Sequence, residues 1–233
     1  MNLVNNMKKC IAIIPARGGS KRIPKKNIKI FKNKPIIAHV INAAKRSKCF
    51  EKIIVSTDSD NIANISKKFG AEILFKRPKK LSNDKIGTRP VINHCINFLN
   101  HLKINFEYIC QIYPTGALID YKNLIKGFGL IKTNKYNFVF GVTEYQYPIQ
   151  RSLKINKNKL KMFFPKFMYK KSNKLEKIYH DAGQFYFGPK KNFLANKPMY
   201  SNSSYPIKIK KSKAWDIDDI EDWKIAEILY SKK

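Results

Sequence analysis

Two kinds of apolar spacing take turns along this chain. Cys10 to Pro15 (CIAIIP) is a short unbroken apolar run, the pattern of a strand buried on both faces. From Pro35, which suits a first helical turn, the spacing becomes helical, and Ile37, Val40, Ile41 and Ala44 fall on one stripe. Lys52 to Ser56 (KIIVS) predicts a second strand, and Asp60 to Phe69 a helix with Gly70 at its C-cap. Glu72 to Phe75 predicts a third strand. Thr88 to Leu102 predicts a long helix with Val91, Ile92, Cys95, Ile96 and Leu99 inward. Tyr108 to Tyr113 and Phe138 to Val142 complete five strands.

Strands alternating with helices up to about residue 145 predict an α/β fold around a mainly parallel sheet, a single Rossmann-like nucleotide-binding domain over residues 1–233. The alternation breaks at Tyr147 to Lys177, which is irregular, basic and rich in aromatic residues. Within residues 145–180 the chain reads as an extended excursion from the same domain. Gly183 to Phe187 returns as a strand, Ile207 to Ile209 suggests another, and Asp219 to Tyr230 closes with an amphipathic helix.

Composition narrows this picture. A chain of 233 residues, 43% hydrophobic, can bury a sizeable core. No apolar run approaches the roughly 18 to 20 residues that span a bilayer, and Met1 to Lys9 has no apolar segment leading to a cleavage site. The expectation is a cytoplasmic protein, with Met7 as an alternative start. Cys10, Cys49, Cys95 and Cys110 show no metal-ligand spacing, and three of them sit in apolar runs, as buried free thiols would. His39, His94 and His101 lie on predicted helices and read as structural.

The formal net charge of +31 raises the question of nucleic acid. The lysines are spread along the chain, not gathered in an arm, and Lys, Asn and Ile are abundant throughout, as an AT-rich genome would produce. A basic nucleic-acid-binding module is the competing reading from another class. The same field would also draw in an anionic substrate.

Two segments carry chemistry. In the first, Pro15 to Asn27 (PARGGSKRIPKKN), a glycine pair follows a buried strand, so backbone N–H groups can approach phosphate oxygens. Arg17, Lys21, Arg22, Lys25 and Lys26 supply charge enough for a triphosphate, at the carboxyl end of a strand where open α/β sheets bind ligands. It matches neither the Walker A loop nor the dinucleotide fingerprint, and a plain solvated basic loop is the alternative. In the second, Asp216-Ile217-Asp218, the two carboxylates alternate about an apolar residue and point the same way in an extended segment, which suits Mg²⁺. Asp219 reads instead as the cap of the last helix, with Asp222 at its third position; all these acids serving as caps is the alternative.

Together the segments resemble the CMP–sialic acid synthetase family of sugar cytidylyltransferases. ARGGSKRIPKKN is similar to that family's opening motif, and Asp216-Ile217-Asp218 to its metal-binding D-x-D. Ile54 to Asp58, Arg77-Pro78 and Leu81 to Asp84 resemble its intermediate motifs in the same order, so the resemblance runs from about residue 8 to 230. It implies use of CTP and Mg²⁺, and a homodimer with the excursion reaching over the partner subunit. By motif position, Arg17, Gly18, Gly19, Ser20, Lys21 and Lys26 would face the CTP phosphates, and Asn27, Arg77 and Thr88 the cytidine. Arg17 and Lys26, with Asp216 and Asp218 on the metal, would be the catalytic set.

The sequence departs from the common sialic acid enzymes at the acceptor side. Tyr113-Pro114-Thr115-Gly116-Ala117 stands where those have Q-P-T-S-P, with Tyr113 at the glutamine. His180 to Tyr186 stands where they have R-x-N-G-A-I-Y, and Tyr147 to Arg151 opens the excursion. These features are similar to the pseudaminic acid branch. They imply a nine-carbon acidic sugar contacted by Tyr113, Thr115, Arg151, His180 and Gln184, with Arg151 a candidate for the carboxylate. N-acetylneuraminic and legionaminic acids are the competing sugars.

Overall fold

The computed structural model describes residues 9–231; the alternative start at Met7 and the leader question lie outside them. In chain order the elements are β1 (Cys10–Pro15), β2 (Ile30–Phe31), β3 (Lys34–Pro35), α1 (Ile36–Ser47), β4 (Lys52–Ser56), α2 (Asp60–Lys68), α3 (Thr88–His101), β5 (Tyr108–Ile112) and α4 (Tyr121–Ile131). They continue with β6 (Phe138–Glu144), β7 (Leu153–Asn156), β8 (Lys159–Met162), β9 (Tyr179–Pro189), α5 (Lys190–Leu194), β10 (Ser204–Lys208) and α6 (Ile220–Ser231).

Six strands form one sheet in the order β10-β6-β9-β5-β1-β4. β1 pairs in parallel with β4 and β5, and β10 with β6, whereas β9 runs antiparallel to both its neighbours. The expected mainly parallel α/β sheet is therefore present with one reversed strand near its middle. β1 can lie inside the sheet, between β5 and β4, because nothing in CIAIIP needs water: Ile11 to Ile14 are fully buried. Apolar residues cover both faces. One face carries Val40, Ile41, Leu124 and Phe187, the other Ile92, Cys95, Leu99 and Tyr186. A third cluster joins Ile23, Phe31 and Ile36 to Ile217, Trp223 and Ala226, and so ties the first loop to the last helix.

The third predicted strand is corrected. Residues 72–76 make only isolated parallel bridges, Ile54 to Glu72 and Thr57 to Lys76, because the segment leaves the sheet edge to deliver Arg77 inward. The excursion falls between β6 and β9 and is less irregular than expected, since β7 and β8 make an exposed hairpin. Among the described residues no helix is long and apolar enough to cross a membrane, and all four cysteines are free. Burial pushes the Cys95 thiol up to about 12, as for an inert core sulfur.

Candidate active site

The parallel strands β1, β4 and β5 end on one edge, and the loops that follow them enclose a cleft of about 230 Å³. Of the residues singled out in the sequence, Arg17, Ser20, Lys21, Lys26, Asn27, Arg77, Thr88, Tyr113 and Thr115 all line it. Thr88 opens α3, so the positive end of that helix faces the same space.

The loop is built, not merely solvated. Ile23 is buried as its anchor in the third cluster. Asn27 is buried, and its side-chain amide donates to the Arg17 carbonyl at 2.9 Å, pinning the two ends of the loop together. Lys25 takes a left-handed φ of 53° and turns the chain into a short helical turn at Lys26 to Ile28. Lys26 then reaches inward, donating to the Ile217 carbonyl at 2.6 Å and lying 3.9 Å from an Asp218 oxygen. Burial lowers the Lys26 pKa, and the charges of Asp218 and Asp216 oppose that shift. Arg22 donates to the Asp218 carboxylate at 2.7 Å. The two chemical segments thus meet, although 196 residues separate Arg22 from Asp218.

The acidic segment is held as the sequence suggested. Asp219 accepts from the Asp222 amide at 2.9 Å, and Asp222 accepts in return from the amides of Asp218 and Asp219. This reciprocal cap satisfies the first turn of α6 and leaves Asp216 and Asp218 for other work. Ile217 between them is buried in the third cluster. Asp216 opens to solvent, yet the protein around it raises its pKa by desolvation, and the charge of Asp218 raises it further. Two hard carboxylates on one segment, with the charge of Asp218 adding to the cost of ionising Asp216, are a donor set that would suit a divalent cation such as Mg²⁺.

Acids from two further segments also reach the cationic loop. Asp84 pairs with both Arg17 and Lys21, and hydrogen bonds from Lys21 and Arg17 lower its pKa. Asp58 accepts the Gly18 amide at 2.9 Å, so that N–H is turned away from the cleft. Gly18 and Gly19 do not line it. Arg77, 5% exposed, donates to the Ser56 carbonyl at 2.6 Å; burial lowers its pKa and the charge of Asp58 opposes this. The signal was available: with 16 acids against 47 lysines and arginines, any acid beside a basic motif is informative.

The acceptor-side candidates separate. A second depression of about 250 Å³ contains Asp216 and His180 with Thr143, Lys211 and Trp215. Tyr113 lines the first cleft and not this depression; burial raises its phenol pKa, and a hydrogen bond with Thr88 opposes that shift. Gln184 is buried and donates to the Lys213 carbonyl at 2.5 Å; it lines neither depression. Arg151 sits on the exposed excursion, where it donates to the Lys170 carbonyl at 2.9 Å, away from both.

Comparison with known proteins agrees with the geometry. The cytidylyltransferase family model matches residues 11–233. The chain is 37% identical over 223 residues to a pseudaminic acid cytidylyltransferase from Campylobacter jejuni, covering 95% of this chain and 96% of that protein. It is 31% identical to a CMP-N,N'-diacetyllegionaminic acid synthase from Legionella pneumophila, covering 94% and 95%. A CMP:2-keto-3-deoxy-manno-octonic acid synthetase complexed with CTP has the same fold, with a TM-score of 0.71 at 13% identity over 97% and 99% of the two chains. The chain belongs to the cytidylyltransferase family.

Proposed function

From that membership we propose that this enzyme transfers CMP from CTP to the anomeric hydroxyl of pseudaminic acid, releasing pyrophosphate. The observation that carries the reading is the meeting of the cationic loop with Asp216 and Asp218 at one cleft edge. The choice of sugar is supported by the relatives and by Tyr113 in place of the glutamine of sialic acid enzymes. The legionaminic acid relative keeps that sugar as the second reading.

The chain's own residues have a mainly electrostatic task. In the transfer, a bond forms between the anomeric oxygen and the α-phosphorus while the bond from that phosphorus to the departing pyrophosphate breaks; the hydroxyl proton goes to solvent. Arg17, Lys21 and Lys26 hold the phosphate oxygens and neutralise the charge that builds on the leaving group. CTP displaces Asp84 from Arg17 and Lys21, so the carboxylate is a stand-in for phosphate. Thr88 and Arg77 shape the nucleoside end. Asp216 and Asp218 would hold Mg²⁺, which would supply charge neutralisation to the triphosphate. The depression at Asp216, His180 and Lys211 takes the sugar, and Tyr113 stands in the wall of the nucleotide cleft.

The same reading makes the protein a homodimer and places it in the cytoplasm. Support for the first is the excursion, where Ile155 is 74%, Leu160 65% and Tyr169 94% exposed. Support for the second is the set of four thiols with no disulfide. The test is pyrophosphate release from CTP with pseudaminic, N-acetylneuraminic and legionaminic acids across a magnesium titration. Strong preference for pseudaminic acid is expected. Equal efficiency on all three sinks the sugar assignment, and no sugar-dependent release with any of them sinks the activity.

A further inference from the structure

β6 and β9 fall out of register in the stretch that faces the site. Val142 pairs with Asp181 and Phe140 with Tyr186, so β9 carries extra residues opposite Gly141. Residues 182–185 therefore bulge from the ladder. The bulge touches the candidate site at three points. Gly183 takes a left-handed φ of 61° and lies so close to the metal-side acid that an added Cβ would sit 3.9 Å from Asp216 Cγ. The Gln184 carbonyl accepts from the Tyr113 amide at 2.9 Å. The Gln184 side chain holds the Lys213 carbonyl, three residues before Asp216.

One carboxylate fastens this bulge. Asp181 accepts from the Gly183 amide at 2.8 Å. The buried Tyr186 hydroxyl lies 2.8 Å from both its oxygens, and the Tyr200 hydroxyl donates to one of them at 2.6 Å. Those donors come from inside the bulge, from its far end and from the loop before β10. Burial first, and then Asp181, raise the pKa of both phenols, which stay protonated as donors.

We propose that Asp181 is a positioning residue that sets the β9 bulge and so aligns Asp216 and Tyr113 across the transfer point. Asp181 does not line the nucleotide cleft or touch the cationic loop, so its loss reaches the site only through the bulge residues Gly183 and Gln184 and what they hold. The inference rests on reading Asp216 as a metal ligand and Tyr113 as an acceptor-side residue.

Asp181→Asn keeps an acceptor for the Gly183 amide but gives up acceptor capacity for the phenols. Tyr200→Phe removes one outer donor and leaves the rest. Both variants are compared with the parent for kcat, KM of the sugar, half-saturating magnesium, CTP Kd and thermal unfolding. A misplacement of order 1 Å costs about 100-fold in rate. Asp181→Asn is therefore expected to lose roughly 10- to 100-fold in kcat/KM for the sugar and to need several-fold more magnesium, with CTP Kd within about twofold. Tyr200→Phe moves the same quantities less, and it carries the test if Asp181→Asn does not fold. Sugar and CTP parameters falling together, or neither moving, overturns the proposal. Asp216→Asn is the control: an unchanged magnesium requirement there defeats the metal reading itself, independently of Asp181.

Discussion

The loop at residues 16–27 and the excursion at residues 145–178 look alike as text. Both are basic, both lack a clean period, and both follow a buried strand. The structure treats them oppositely. In the loop, buried Ile23 and Asn27 fix the backbone, and Arg17, Lys21, Arg22 and Lys26 have acids or carbonyls to meet. In the excursion, Leu153, Ile155, Leu160 and Tyr169 face solvent. What separates a built site from a surface is where apolar residues go, not how many charges there are. An anchored loop turns its isoleucine inward and holds its cations in place; the excursion leaves its apolar residues exposed.

The sharpest way to break this contrast is at Lys26. Lys26→Ala should lower turnover by at least about 100-fold, on the scale of removing one preorganised charge-stabilising donor, with little change in melting temperature. Near-normal pyrophosphate release by the folded variant would put the loop back among solvated charges. Next comes the anchor. Ile23→Ala should cost about 2–5 kcal/mol of stability in chemical denaturation, the range for truncating a fully buried Ile or Leu. A loss below half a kcal/mol would mean that the loop is not tied to the core.

The excursion should respond in the opposite sense. Ile155→Asp with Leu160→Asp should leave unfolding of the protomer within about 0.5 kcal/mol, as exposed substitutions do, while abolishing the dimer in sedimentation. A dimer that persists, or a collapse in stability, would show that the hairpin is not the shared surface. The smallest effect belongs to Asp84→Asn, which removes the carboxylate that competes with CTP for Arg17 and Lys21. KM for CTP should fall by about two- to fivefold, the scale of exposed ion pairs. A rise in KM would instead make Asp84 a residue that orients Arg17 for the nucleotide.

The first half of the fold was legible because burial on both faces leaves an unmistakable apolar run, as in β1, and because α1 and α3 keep a full stripe. α4 went unread, since Gly127 and Gly129 interrupt its pattern. Gly127 is there for a neighbour the sequence does not show: a Cβ would come within 2.7 Å of the Phe187 ring on β9. The reversal of β9 was hidden for a like reason, because strand direction depends on pairing and not on period. At the site, the cationic loop and the acid pair were readable as motifs, whereas Asp58 and Asp84 acquire meaning from partners 40 and 67 positions away, and Asp181 from a strand bulge that joins Gly183 and Tyr186 to Tyr200.

The tie between Ile217 and Ile23 has a consequence for how the enzyme is made. A chain emerging from the ribosome completes its basic loop early, but the segment that Arg22 and Lys26 must meet comes almost two hundred residues later. Closing so long a loop is costly in entropy, and it is compensated only when Trp223 and Ala226 can pack beside Ile23, Phe31 and Ile36. Activity is therefore a late event in synthesis. A nascent chain stalled before α6 has its acids in sequence but lacks the Trp223 and Ala226 packing that docks Ile217, and with it Asp218, beside Arg22 and Lys26, and a protease that trims α6 returns the finished enzyme to that state.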